Sequence, residues 1–332
     1  MQWLTLAGPE GHKIPSIGLG TFKAIDDDVY NAVLTALDVG YRHFDTAFLY
    51  GNERQIGRAI SKWISQDEGT RENLFITTKL PHFGNRAEDV EKFLTMSLEK
   101  LQTPYIDLYL IHMPFAFRLN ESGTGPLKEQ DDVTMVIDHN NDNIATWKVM
   151  EQQVKKGLVK SIGLSNFNIS QVQKIYNSAE IKPAVLQVEM HAYLQQDELI
   201  EACKRMNIAV TAYAPLGSPA AAQHFTAKYR YNNFKILPSL ITNPLVVELA
   251  KKYNKTSGQI LLRHLLEKNI IVIPKSSNPK RIEDNFKIFD FNLANDDIKK
   301  LNDLDRKEGG RTFDFRFYKG IENHPEYPFS RV

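Results

Sequence analysis

A closed barrel of eight parallel strands, each followed by helix, is the fold class that this 332-residue sequence predicts. Three observations predict it. Short apolar runs bounded by turn residues recur eight times and read as buried strands. The stretches between them carry apolar residues at helical spacing. No linker or composition break interrupts the alternation, so residues 1–332 read as one α/β domain. The expected form is a (β/α)8 TIM-type barrel with an N-terminal β-hairpin and long loops at the C-terminal rim.

Taken in order, Leu4 to Ile14 contains Gly8-Pro9 and Gly11 and reads as the hairpin. Ile17 to Gly20 is the first barrel strand. Asp26 is expected to cap a helix that buries Val29, Val33 and Leu37 and stops at Gly40. Tyr41 to Phe44 is the second strand, with Asp45 at its end and Tyr50 in the loop beyond. A helix from about Asn52 turns Ile56, Ile60 and Trp63 inward. Strands Leu74–Lys79 and Ile106–His112 end in a lysine and a histidine, with a helix bearing Val90, Leu94, Leu98 and Leu101 between them. Residues 113–142 show no periodicity and are expected to form a lid, a binding loop or a disordered stretch. A helix over 144–154 follows, closed by Gly157. The remaining strands are 159–166, 184–189, 208–213 and 270–275. Helices are expected after a Ser170 cap, over 199–206 and over 257–267. Residues 218–244 read as a second long connection, and further helices lead to an aromatic tail, Phe313 to Phe329.

Composition narrows the function. Hydrophobic content of 42% and charged content of 24% are ordinary for a globular chain. A net charge of +1 gives no reason to expect nucleic acid or an anionic membrane as partner. The one cysteine, Cys203, lies in a helical pattern and reads as a small buried apolar residue. Residues 1–13 lack the apolar core of a signal peptide and no run is long enough to span a bilayer, so a cytoplasmic location is expected. The Gly-x-Gly-x-x-Gly dinucleotide fingerprint is absent, because Lys23 stands where the third glycine would be.

Chemistry in such a barrel is built at the carboxyl ends of the strands. Asp45, Lys79, His112, Asn166, Gln187, Tyr213 and Lys275 all fall at or near such ends, and closure would gather them at one mouth. Tyr50 is a candidate general acid. An unperturbed phenol titrates near pH 10, so a nearby cation is expected to ease proton release. Lys79, held charged by Asp45, is the candidate cation, and His112 is placed to orient a carbonyl. Beyond the last strand, Asn278-Pro279 opens a helix flanked by Lys275 and Arg281, a pattern suited to gripping a phosphate.

The motifs Gly18–Phe22, Asp45–Tyr50, Lys79, Leu110–His112, Gly163–Phe167, Gln187–His191, Ala212–Gly217 and Ile273–Ser276 resemble those of the aldo-keto reductases, in this order and over nearly the whole chain. The resemblance is to the aldose/aldehyde reductase branch, which implies a cytoplasmic, monomeric, NADPH-dependent reductase of aldehydes and ketones. It implies Asp45, Tyr50, Lys79 and His112 as the catalytic group. Thr21, Asp45, Ser165, Asn166, Gln187, Tyr213, Leu216, Ser218, Lys275, Ser276, Asn278, Arg281 and Asn285 would hold the cofactor. Phe22, Leu49, Tyr50, His112 and Met113 would meet the substrate, a small carbonyl compound; no metal is implied. Phe22 and Met113 stand where the family often has Trp, and Ala192 where Pro is frequent. With Phe115, Phe117, Phe313, Phe315 and Phe317 as possible apolar wall, a bulky ketone such as a steroid or ecdysteroid 3-oxo compound joins sugar and aromatic aldehydes as expected substrate. The alternative is a non-catalytic relative that keeps the cofactor site.

Overall fold

The computed structural model describes residues 2–8 and 11–330. Strands β1 (Trp3–Thr5) and β2 (Lys13–Pro15) pair antiparallel, as the hairpin reading requires. Pro9 of the expected turn lies outside the described residues.

The barrel strands are β3 (Leu19–Gly20), β4 (His43–Asp45), β5 (Phe75–Leu80) and β6 (Ile106–Ile111). A two-stranded ribbon, β7 (Ala116–Phe117) with β8 (Ile137–Asp138), stands outside the barrel. The barrel resumes with β9 (Val159–Ser165), β10 (Val185–Glu189), β11 (Ala209–Tyr213) and β12 (Ile271–Val272). All neighbours run parallel in the order β3-β4-β5-β6-β9-β10-β11-β12. Bridges from Ile17 to Val272 and from Gly20 to Lys275 close the ring. The closure needs glycine at 20, because a Cβ there would sit 2.6 Å from the Ile273 carbonyl oxygen.

Helices α1 (Asp26–Val39) and α2 (Glu53–Ser65) bury the expected stripes, α3 (Val90–Leu101) buries Val90, Leu94 and Leu101 but leaves Leu98 half-buried, and α4 (Asn143–Lys155) follows. Gly40 ends α1 at φ 111°, a left-handed conformation that favours glycine. Helix α5 (Ile169–Ser178) is capped by Asn168 in a capping box with Gln171, not by Ser170. Asp26 likewise makes no capping bond. Then follow α6 (Asp197–Arg205), α7 (Ala221–Tyr229), α8 (Pro244–Tyr253), α9 (Ser257–Glu267), α10 (Pro279–Phe286) and α11 (Asn295–Asn302).

Two long segments differ from expectation. Residues 113–142 are ordered as a ribbon, with Arg118 N bonded to the Val136 carbonyl and Leu127 N to the Arg118 carbonyl. Residues 218–244 are not one open connection but contain α7 and lead into α8.

The core splits by face. At the amino ends of the strands, Leu6 and Ile14 of the hairpin plug the barrel against Phe75, Leu108, Val185 and Ile271. The main core lies between barrel and helices and runs up into the aromatic tail, where Phe313, Phe315, Phe317 and Tyr318 are buried. One carboxylate anchors that tail. Glu189, at the end of β10, accepts from the backbone N–H of Thr312 (2.9 Å) and of Phe313 (2.9 Å). Cys203 is buried on α6, and burial pushes its thiol up to about 12. Among the described residues no helix is long and apolar enough to cross a membrane.

Candidate active site

Strand register brings the rim residues together. Asp45 of β4 lies beside Thr77 of β5, and Lys79, two residues on, points into the same interior. Lys79 Nζ donates to Asp45 Oδ1 at 2.6 Å, to the Thr46 carbonyl at 2.8 Å and to the Tyr50 hydroxyl at 3.4 Å. A short 3-10 turn, Phe48–Tyr50, ends at Gly51 in the left-handed region and carries the phenol back over the strand ends. The His112 ring stands edge-on to Tyr50, centroids 5.9 Å apart. Carboxylate, ammonium, phenol and imidazole therefore meet at one mouth.

The electrostatics correct one expectation. Tyr50 is pushed well above the ordinary phenol range, by burial first and by the Asp45 carboxylate second. The ammonium of Lys79 does not overturn this, because burial lowers the lysine too while Asp45 holds it up. The phenol is thus held protonated rather than made easier to ionise. His112 is held well below the usual imidazole range by burial, then by Lys79 and His82, so the ring is neutral. Its Nδ1 is buried without a hydrogen-bond partner among the described residues.

The residues expected to hold a cofactor fall into two groups. In the first, Gln187 Nε2 donates to Asp45 Oδ2 at 2.7 Å, so both carboxylate oxygens are engaged. Thr21 donates its hydroxyl to the Asp45 carbonyl at 2.9 Å. Asn166 sits at φ 65° just past β9. Its amide donates to the His112 carbonyl (2.9 Å) and Ser165 Oγ (3.1 Å) and accepts from the Tyr213 hydroxyl (2.8 Å). These side chains form two hydrogen-bonded sets, one around Asp45 and one around Asn166.

The second group surrounds the start of α10. Asn278 caps the helix by accepting from Arg281 N at 3.0 Å, and Pro279 takes its first position. Ser276 is buried and its Oγ accepts from Asn278 N. Lys275 and Arg281 make no ion pair among the described residues; burial first and the Arg281 charge last lower Lys275, while the Asp28 carboxylate between them in weight holds it up. Lys23 joins them across the mouth. Burial, then Lys275 and Lys228, brings it to about 8. Cations crowded at a capped helix start fit a phosphate-bearing group. Leu216 and Asn285 flank Gly258, whose absent Cβ would lie 3.9 and 3.5 Å from them. Ser218, at φ 42°, leads into α7.

Of the expected substrate contacts, Phe22 packs on Tyr50 (5.0 Å between centroids), Leu49 is half-buried, and Met113 is buried with its sulfur 3.3 Å from the Asn166 amide. Phe115 and Phe117 join the aromatic cluster around the tail. They are fully buried and pack on each other and on Tyr318. The tail rings Phe313 and Phe317 pack on Phe225 of α7, which stacks in turn on Phe22. Lys23, Thr46 and Phe225 escaped the sequence reading. Thr46 and Phe225 act through a carbonyl and a tertiary stack, which leave no pattern. Lys23, next to Phe22, stands out in the sequence only as the residue that breaks the glycine fingerprint.

A parallel eight-stranded barrel with a buried carboxylate–lysine–phenol chain, an adjacent imidazole and a cationic helix start defines a class of rim-site barrel. The chain belongs to the aldo-keto reductase family, whose model matches residues 16–306. It is 42% identical over 325 residues to aldo-keto reductase family 1 member A1 of Homo sapiens, covering 96% of each chain. The Xenopus tropicalis protein of that name is 41% identical over 325 residues. Among solved structures, the aldose reductase of Schistosoma japonicum superposes with a TM-score of 0.87 at 40% identity, covering 99% of each chain. A Bombyx mori aldo-keto reductase in complex with NADP gives 0.84 at 35% identity, again covering 99% of each.

Proposed function

We propose that this protein reduces aldehydes or ketones to alcohols with NADPH. The observation that supports the reading best is the Asp45–Lys79–Tyr50 chain beside a neutral His112. NADPH, when bound, supplies the hydride; the chain supplies orientation and a proton. Tyr50 stays protonated at working pH and gives its proton as negative charge develops on the carbonyl oxygen. An alkoxide is a stronger base than a phenolate, so a phenol of raised pKa still transfers downhill. Lys79, directed at the phenol oxygen, stabilises the phenolate left behind, and Asp45, braced by Gln187, fixes Lys79. His112 offers an N–H to the carbonyl oxygen. Ser165, Asn166, Gln187 and Tyr213 would take the nicotinamide end. Lys275, Ser276, Asn278 and Arg281 would take the 2′-phosphate and Asn285 the adenine.

With Phe22 and Met113 lining the mouth, the substrate class extends from aromatic and sugar aldehydes to bulky apolar ketones. The test is a survey of NADPH oxidation over sugar aldehydes, aromatic aldehydes and steroid ketones. Turnover with any group supports the reading. No oxidation across the panel, with NADPH still bound, would place the chain among non-catalytic relatives.

A further inference from the structure

The face opposite the site holds a cavity of about 310 Å3, at the small end of the range for ligand sites, ~300–1,000 Å3. It lies where the hairpin meets the amino ends of β5, β6 and β9. Its lining includes Trp3 and Lys13 from the hairpin, Glu72 and Asn73 before β5, Tyr105 before β6 and Lys160 in β9. The barrel chemistry does not reach this face, so the reaction does not explain the lining.

The composition of the cavity is selective. Asp107, which also lines it, is already neutralised by Arg71 at 2.6 Å. Lys13 and Lys160 make no ion pair among the described residues, and with His12 neutral the described lining leaves them one positive charge in excess of Glu72. The Lys160 ammonium sits 5.2 Å from the Tyr105 ring centroid, and the Arg71 guanidinium stacks on that ring at 4.0 Å. Tyr105 is therefore a fixed platform with cations on it. Trp3 is 45% exposed, an indole face standing open at the hairpin edge where a core-facing tryptophan would be covered. Open indole, fixed phenol ring and two free ammoniums complement a flat molecule with a negative charge on its rim.

We propose that this cavity binds a small planar aromatic anion, with Trp3 stacking on the ring and Lys13 and Lys160 meeting the carboxylate or phosphate. Binding would tie the hairpin to the strands it plugs and so stabilise the folded state by mass action. This does not depend on the reductase reading.

Trp3 gives a direct reporter, because the other tryptophans, Trp63 and Trp147, are buried. The probes are 1-naphthoate, its uncharged amide 1-naphthamide, and inorganic phosphate. Naphthoate is expected to quench tryptophan emission saturably and to raise the thermal midpoint. The amide should bind at least tenfold more weakly, and phosphate should do so without quenching. Trp3→Phe should abolish the quench while keeping the thermal shift. Lys13→Gln with Lys160→Gln should weaken binding at least tenfold, with NADPH affinity unchanged. Non-saturable quenching, indifference to the two lysines, or displacement of naphthoate by NADPH would overturn the proposal.

Discussion

Replacing Lys79 by Met tests the physical centre of the site. The ammonium is fully buried and makes three contacts: Asp45 Oδ1, the Thr46 carbonyl and the Tyr50 hydroxyl. Methionine fills much of the same space but leaves Asp45 with Gln187 as its side-chain partner, at 3% side-chain exposure. Stranding one member of a buried pair costs about 3–5 kcal/mol. For a chain of this size about 2 °C is lost per kcal/mol, so the thermal midpoint should fall by roughly 6–10 °C at pH 7. Asp45→Asn with Lys79→Met removes both charges and should recover at least half of the loss. Thermal and urea unfolding of the three proteins at pH 7 measure this. A midpoint for the single variant within about 2 °C of wild type, or no recovery in the double, would refute the reasoning.

Tyr50→Phe should keep NADPH affinity and lower turnover by at least ~100-fold, read by fluorescence titration and steady-state kinetics. Lys275→Met with Arg281→Gln should erase a preference for NADPH over NADH of about 10²–10⁴-fold, the value of two charge-assisted contacts. Burial brings His43 to about 4, His82 to about 3 and His264 to about 4. These rings fold neutral but protonate once unfolded, so stability is complete above about pH 6.5 and falls as pH drops toward the folded values. Each contributes up to about 1.4 kcal/mol per pH unit, and His82→Gln should remove one proton from that slope. Gly310→Ala should cost about 2–3 kcal/mol in urea titration, because its Cβ would fall 1.7 Å from the Tyr193 carbonyl oxygen.

Where apolar period and end signals coincide, the sequence was a sufficient guide. Helix α9 has the predicted bounds, and the cap at Asn278 with Pro279 behind it is as read. Asn243-Pro244, with Val246 and Leu249 buried beyond, carries the same legible signal for α8. Helix α7 was not legible. It has one large core residue, Phe225, and its place is set by rings from distant segments. The 113–142 ribbon was hidden for a related reason, since backbone bonds between residues far apart hold it. The convergence of Asp45, Tyr50, Lys79 and His112 was readable because barrel closure forces strand ends together. The direction of the Tyr50 shift was not, because burial is a property of the packed whole.

The grip of Glu189 on the tail has an evolutionary corollary. What the carboxylate holds is main chain, an attachment indifferent to which side chains follow. Aromatic positions downstream can be exchanged while the strap stays moored at its root. Attachment of the tail and the identity of its rings are thus separable properties of the molecule.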